Sequence, residues 1–326
     1  MNAFDASASA SPPSSALQAV PAGIDDIDFE RRFGGIARLY GADGLARFRA
    51  ARVCVIGVGG VGSWVVEALA RSAVGHITMV DLDHLAESNI NRQIHALTDT
   101  LGMAKVTALA QRIAQINPLC SVVQVEDFLS ADNLDELIGA GNYDFIIDAI
   151  DNVRAKTALI AYCRGHRYRL VTIGGAGGQI DPTQITVRDL CRTEQEPLLA
   201  KVRKRLRAEH GFPRGTKNKF GIDAVFSTEP LRFPERQEAD AAMDTPVNAT
   251  NDATVDAARD ARAIDGAGGF ARDATVSGVT GLNCAGFGSA MVVTAAFGLV
   301  AAAHVLRLLA APPVPPVPPA PADPAR

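Results

Sequence analysis

No Cys-x-x-Cys pair occurs in this chain, and its five cysteines (54, 120, 163, 191 and 284) are odd in number and scattered. That excludes a disulfide framework and a paired-thiolate zinc knuckle as the basis of the fold, and it fits a reducing cytoplasm. No Lys or Arg precedes Arg31. Without a basic n-region, no signal peptide is expected. Charge of one sign is not in excess, the net being −4, so a nucleic-acid partner would have to meet a local patch. A long apolar run is present at Ala285 to Ala303, where every residue is apolar or small. Its length could span a bilayer. It is built from Ala, Gly, Ser and Thr rather than Leu and Ile, which weakens insertion and permits close packing. A buried core or interface helix is the expectation, with membrane association the lesser one.

Composition is globular, 48% hydrophobic and 21% charged over 326 residues, enough for a sizeable core. Residues 1–28 are rich in Ala, Ser, Pro and acid and read as a disordered tail. Residues 29–310 read as a single domain, interrupted at 235–273 by an Ala-, Asp- and Gly-rich insertion with few large apolar residues. Residues 311–326 form a Pro-rich tail, expected to be extended.

Strands alternate with helices inside the domain. Strands are expected at 53–56, 77–80, 122–125, 145–149 and 170–173. Helices are expected at 63–72, 105–116, 132–138 (capped by Asp132) and 153–164. The pattern predicts an α/β, Rossmann-like, mainly parallel sheet with helices on both faces. An antiparallel extension is expected to begin at 185–187.

Gly57, Gly59 and Gly62 form G-x-G-x-x-G directly after the first strand and before a helix. The first permits a tight turn, the second lets backbone approach phosphate, and the third lets helix and strand pack closely. The helix N-terminus then offers unpaired N–H groups to an anion. Asp81 lies 19 residues beyond Gly62, a spacing suited to a carboxylate that accepts from ribose hydroxyls. Nucleotide binding follows, but not which nucleotide: NAD-dependent dehydrogenases open the same way.

The next residues separate the choices. Adenylation needs cations on the triphosphate as charge moves to leaving pyrophosphate, and a carboxylate to hold Mg²⁺. Arg92 and Lys105 could supply the cations and Asp151 the metal ligand. A dehydrogenase needs none of these, and a non-catalytic scaffold has no use for a phosphate clamp. Asn91 and Gln93 suit the loop that presents Arg92. Asp148 reads equally as an end-of-strand structural acid and as a site residue.

Arg-Phe-Gly-Gly at 32–35, Ala-Arg-Leu-Tyr-Gly at 37–41, the GVGGVG turn, Ser-Asn-Ile-Asn-Arg-Gln-Ile-His at 88–95 and Asp-Ala-Ile-Asp-Asn at 148–152 together resemble the adenylyltransferases related to ubiquitin-activating enzymes. That superfamily includes the ThiF-type sulfur-carrier activators. The resemblance implies that Gly57, Gly59, Gly60 and Gly62 cradle phosphate, Asp81 binds ribose, and Asn89, Arg92 and Lys105 contact the phosphates. Asp151 would bind Mg²⁺, with Asn152 beside it. Thr172 to Ile185, Gly221 to Glu229 and Cys284 to Gly298 more narrowly resemble the tRNA threonylcarbamoyladenosine dehydratases. In that family ATP adenylates the free carboxylate of the threonylcarbamoyl group on tRNA, an internal nucleophile displaces AMP, and a ring closes with net loss of water. The resemblance also brings a homodimer, and sulfur-transfer proteins among the partners. Ring closure from a neighbouring carbamoyl gains a high effective molarity, so no cysteine nucleophile is required.

The alternative is an enzyme that activates the C-terminus of a ubiquitin-like sulfur carrier. It would use a thioester cysteine, for which Cys191 stands at a suitable place, although a plain loop or core thiol explains it better. The absence of Cys-x-x-Cys zinc ligands counts against this class. Cys284 is the other candidate for lining the site. An arginine that reaches the partner subunit's ATP is common in the superfamily. Gly35 occupies the aligned position, which leaves Arg32 or Arg38 for the role. Lys201, Arg203, Lys204, Arg205, Arg207, Arg214, Lys217 and Lys219, against the single acid Glu209, make a patch that could neutralise tRNA phosphates, or a solvated helix face. Only Phe212 and Phe220 interleave, so base stacking has little support. Gly174, Gly175, Gly177 and Gly178 predict a tight loop near nucleotide or substrate, whose carbonyls could hold a monovalent ion.

Overall fold

The computed structural model describes residues 27–233 and 287–312. The tail at 1–26, the expected insertion at 235–273, Cys284 and the Pro-rich end from 313 lie outside the described residues.

Two helices, α1 (Phe29–Tyr40) and α2 (Ala42–Ala50), lead into the sheet. Asp28 caps α1, its carboxylate accepting from the Arg31 amide at 3.0 Å. The sheet then builds from β1 (Arg52–Ile56), α3 (Gly62–Arg71), β2 (His76–Val80), α4 (Lys105–Ile116) and β3 (Ser121–Val125). It continues with β4 (Phe145–Asp148), α5 (Val153–Gly165), β5 (Leu170–Ile173), β6 (Ile185–Asp189), α6 (Pro197–Glu209), β7 (Asp223–Ser227) and α7 (Met291–Ala310).

Strand order is β3-β2-β1-β4-β5-β7-β6, all pairs parallel except β6 with β7. The antiparallel extension expected at 185 is therefore present. It reaches the sheet through β7, which pairs in parallel with β5 and which the sequence patterning had not marked as a strand. The central strands are buried on both faces, as parallel strands under two helical layers must be. Along β1, Val53 and Val55 enter one core with α3, α4 and α7. Cys54 and Ile56 enter the other, with α5 and α6. That is the two-residue alternation of a pleated strand.

Helix α7 answers the question raised by the apolar run. Among the described residues it is the one helix long and apolar enough to cross a membrane, and just over half of its most apolar window is buried. Val293, Phe297, Ala301 and Val305 are fully buried in the core shared with α3. At Gly298 an added Cβ would stand 2.6 Å from the Val61 carbonyl oxygen and 2.9 Å from Trp64 Cβ, so the small residue lets α7 press on the start of α3. The helix begins at Met291 rather than Ala285 and runs seven residues past Ala303.

One expected element differs. In place of a helix over 132–138 there is a single wide turn, Asp135–Gly139, following Leu134. Asp132 does not cap it. Asn133 takes the local bonds instead, accepting from the Ser130 amide at 2.9 Å and donating to the Phe128 carbonyl at 2.9 Å. A side chain that bonds its own backbone competes with regular helix.

Candidate nucleotide site

Strand β1 ends at Ile56 and the chain turns at once into α3. Gly57 has φ +81°, and a Cβ there would meet the Ala149 carbonyl at 2.9 Å. At Gly62 a Cβ would lie 1.8 Å from the Gly57 carbonyl oxygen, so no side chain fits. The turn is thus wedged between the end of β4 and the first turn of α3. It sits where β1 and β4 are neighbours and the strand order reverses, the place where open α/β sheets bind ligands.

Arg92 lies over this turn. A Cβ on Gly60 would be 3.3 Å from three of its side-chain atoms. Its backbone is pinned by Trp64, whose indole N–H donates to the Arg92 carbonyl at 2.9 Å. Its guanidinium donates to the Ser88 carbonyl at 2.6 Å and to Asn91 Oδ1 at 3.0 Å. Asn91 does hold the loop, donating to the Ser289 carbonyl at 2.9 Å, while Gln93 is buried against the turn with its Nε2 3.9 Å from a Cβ at Gly59. The Gln93 side-chain Oε1 and the Ser63 hydroxyl are buried beside the glycine turn without a partner. Orphaned polar atoms in such a cradle fit a polar ligand.

The acidic and cationic side chains converge on the same edge. Asp81 accepts from the Val58 amide at 2.8 Å and from the Asp83 amide at 2.9 Å. Lys105, the first residue of α4, is buried, with its ammonium 2.6 Å from Asp83 and 3.7 Å from Asp81. Asp151 follows β4 and is half-buried. Burial raises its pKa most; Lys156 and Lys105 pull it down, and Asp83 pushes it up. Asp151 directly follows Ala149 and Ile150, whose backbone a Cβ at Gly57 would meet at 2.9 and 3.3 Å. Asn89 spends its carbonyl oxygen on the Ala86 amide at 3.1 Å, which fixes the loop leading to Arg92. Asn152 caps α5, accepting from the Arg154 and Ala155 amides at 2.9 and 3.1 Å. The side chains of both asparagines are therefore structural in this arrangement, whatever their remaining N–H groups meet.

Asp148 takes the structural part. It is fully buried with Lys156 at 2.8 Å, both side chains wholly enclosed. Thr172 donates to it at 2.7 Å and the Ile150 amide at 3.1 Å. Lys156 also reaches the Thr172 hydroxyl at 3.1 Å. Sequence reasoning missed Lys156, although a lysine four residues into a helix that opens at Asn152 is a visible oddity. It also missed Glu196, which caps α6 just before Pro197, a signal the Glu-Pro pair does carry.

Cys191 is buried, and its Sγ donates to the Thr216 carbonyl at 3.7 Å. Burial, then the bond to Asp189, raise its pKa, the opposite of what a thioester-forming thiol needs. Arg32 is exposed and donates to the carbonyls of Gln115 and Ile116 at 3.2 and 3.0 Å, where a cation suits the α4 C-terminus. Arg38 is exposed beside Gly34 and Gly35. In the basic segment, Arg203 is held by Thr193, Arg205 by Glu209 at 2.9 Å, and Arg207 by the Pro213 carbonyl at 3.3 Å. Lys201, Arg214, Lys217 and Lys219 are exposed. Phe212 and Phe220 are buried edge-to-face at 5.0 Å and offer no platform for bases.

A cavity of about 600 Å³ lies away from the glycine turn, between α1 and α4, lined by Arg32, Phe33, Arg71, His95 and Arg112 among others. His95 is 2% exposed and neither ring nitrogen has a partner. Burial, then Lys105 and Arg112, lower its pKa from 6.5 to about 3. The unfolded chain takes up this proton as pH falls through 6.5, and the folded chain does so only near 3. Stability from this group is therefore complete above pH 6.5 and is lost as pH falls toward 3. The melting temperature should fall between pH 7 and 4.5, with a slope in His95→Asn smaller by about one proton. An unchanged slope would place His95 in water.

Fold and site define a class: a Rossmann-like α/β protein with a glycine turn after β1, Arg92 lying over it and the Asp81–Lys105 pair at its edge. A model described as the ThiF family matches residues 33–321. The chain is 48% identical over 284 residues to tRNA threonylcarbamoyladenosine dehydratase of Escherichia coli (strain K12), covering 87% of this chain and 95% of that protein. It is 46% identical to the protein of the same name from Haemophilus influenzae, over 88% and 95%. The crystal structure of the E. coli dehydratase in complex with ATP matches with a TM-score of 0.69 at 45% identity, covering 86% of this chain and 94% of that one. The chain belongs to the ThiF family, on the branch that holds the tRNA threonylcarbamoyladenosine dehydratases.

Proposed function

We propose that this protein is an ATP-dependent enzyme that dehydrates threonylcarbamoyladenosine in tRNA to its cyclic form. What supports the reading most is the surroundings of the glycine turn: Arg92 lies over Gly60, Lys105 reaches the Asp81 that holds the Val58 amide, and Asp151 follows the residues packed on Gly57. One catalytic domain, 29–310, performs the reaction, with 235–273 as an insertion into it.

Gly57, Gly59, Gly60 and Gly62 leave room for the phosphates, and Asp81 takes the ribose hydroxyls. Asn89 and Asn152 hold the two flanking loops in place through their Oδ1 atoms, and their NH₂ groups would contact the nucleotide. Arg92 and Lys105 lie where negative charge grows as pyrophosphate leaves. The substrate carboxylate oxygen bonds to the α-phosphorus while the bond to pyrophosphate breaks. The carbamoyl oxygen or nitrogen then bonds to the acyl carbon and AMP departs with the carboxylate oxygen, so one water is lost overall. Mg²⁺ would meet one carboxylate of this loop, Asp151, since Asp148 is committed to Lys156. The ion would then rest on Asp151, phosphate oxygens and water, the arrangement magnesium favours. It would neutralise charge on the triphosphate. A monovalent ion at the carbonyls of 174–178 belongs to the same proposal, less the Gly178 carbonyl, which already accepts from Arg232 at 2.8 Å.

A homodimer is supported by the exposed apolar side chains Met291, Val292 and Leu299 on α7, with Ile90 on the loop before Arg92. Cytoplasmic location is supported by four free cysteines among the described residues. Sulfur-transfer proteins would enter as partners chiefly with the sulfur-carrier alternative, which the raised pKa of Cys191 disfavours.

Mass spectrometry of nucleosides from threonylcarbamoylated tRNA incubated with the protein and ATP tests the reaction. Loss of one water mass, with AMP and pyrophosphate released, is expected. An unmodified mass, or adenylation of a Gly-Gly carrier instead, refutes it. For the basic segment, Lys201, Lys217 and Lys219 changed together to Glu should weaken tRNA binding and reduce the salt slope by about 2 to 3. ATP affinity should be unchanged. A tRNA titration that gives wild-type affinity and slope removes this face from the interface.

A further inference from the structure

We propose that Gln179 is a specificity residue that binds the carbamoyl group of the substrate; this rests on the function proposed above. Gln179 lies in the glycine loop after β5. It is 2% exposed, and neither its Oε1 nor its Nε2 has a partner. A buried carboxamide with both ends unsatisfied costs stability, so a fold that keeps one gains something else from it.

The loop around it is braced on every side. The Gly175 amide donates to Glu196 at 2.8 Å, and the Ile180 and Asp181 amides donate to Glu229 at 3.0 and 2.9 Å. Both carboxylates are buried, at 5% and 3% exposed. The Gly178 amide donates to the Gly288 carbonyl at 2.8 Å. Two buried acids spent on one short loop fix the backbone from which Gln179 projects, as a preorganised binding residue requires.

Connectivity puts this loop on the edge where the chemistry is. It leaves β5, whose neighbour β4 leads to Asp151, with Asp148 opposite Thr172 in register. Residues 287–290 then tie it to the Arg92 loop, since Gly288 meets Gly178 and Ser289 accepts from Asn91.

The unsatisfied pair identifies the ligand class. A phosphate or carboxylate would satisfy the NH₂ and set its own negative oxygen against Oε1. A ureido group offers an N–H beside a C=O, and so satisfies both ends. Gln179 is thus suited to the neutral carbamoyl rather than to triphosphate. Holding that group also fixes the internal nucleophile relative to the activated acyl carbon.

The test uses the full chain with Gln179→Leu and Gln179→Glu, ATP and threonylcarbamoylated tRNA. In both variants kcat/KM for the tRNA should fall about 10- to 100-fold, with ATP affinity by direct titration unchanged. Gln179→Leu should melt no lower than wild type, because it removes an unsatisfied group. Wild-type kcat/KM in both variants, or a lower melting temperature in Gln179→Leu, overturns the inference. Failure of the wild-type protein to dehydrate the tRNA sinks the proposed function instead.

Discussion

An Asp151→Ala chain is expected to bind ATP within a few-fold of wild type and to lose turnover by about 10³-fold or more. The carboxylate stands at the end of β4 beside the glycine turn, half-buried and coupled to Lys105 and Asp83. Nothing else in that loop offers an oxygen on a charged side chain, because Asp148 is committed to Lys156. Lys105→Ala should be as severe in turnover and worse in affinity. Its ammonium neutralises Asp83 at 2.6 Å and approaches Asp81 at 3.7 Å, so its loss leaves two carboxylates facing a triphosphate. ATP–pyrophosphate exchange and calorimetric ATP titration separate the two effects. Exchange at the wild-type rate in both variants would discard the site.

Lys156→Met should cost about 3–5 kcal/mol of folding stability, the penalty for stranding an enclosed charge. The pair with Asp148 has no solvent exposure on either side chain, and Thr172 completes it. Adding Asp148→Leu should return part of the loss, since two apolar groups in place of a buried pair are often tolerated. Urea denaturation of the single and double variants checks this. A single variant as stable as wild type would mean that water reaches the pair.

Local signals were readable where one stretch of chain decides its own structure. The helix expected at 105–116 occupies Lys105–Ile116, because its apolar period and the Asn117-Pro118 stop are both local. The strand at 170–173 is likewise where its apolar run put it. The glycine turn was legible because Gly57 and Gly62 answer steric demands from the end of the neighbouring strand and from the motif itself. What stayed hidden depends on distant partners. That Thr172 completes the Lys156–Asp148 pair and that Glu196 and Glu229 clamp one loop are facts of assembly. The expected helix at 132–138 failed for a local reason, the self-bonding side chain of Asn133, which periodicity does not register.

Gly298 presses against Val61 and Trp64, the residues flanking the phosphate turn, from a helix far down the chain. A fragment stopping at Phe233 would carry every side chain assigned to ATP and still lack the wall behind the turn. Deleting α7 should therefore abolish nucleotide affinity, as calorimetric ATP titration would show. Helix α7 is thus the buttress that holds the first turn of α3 in place.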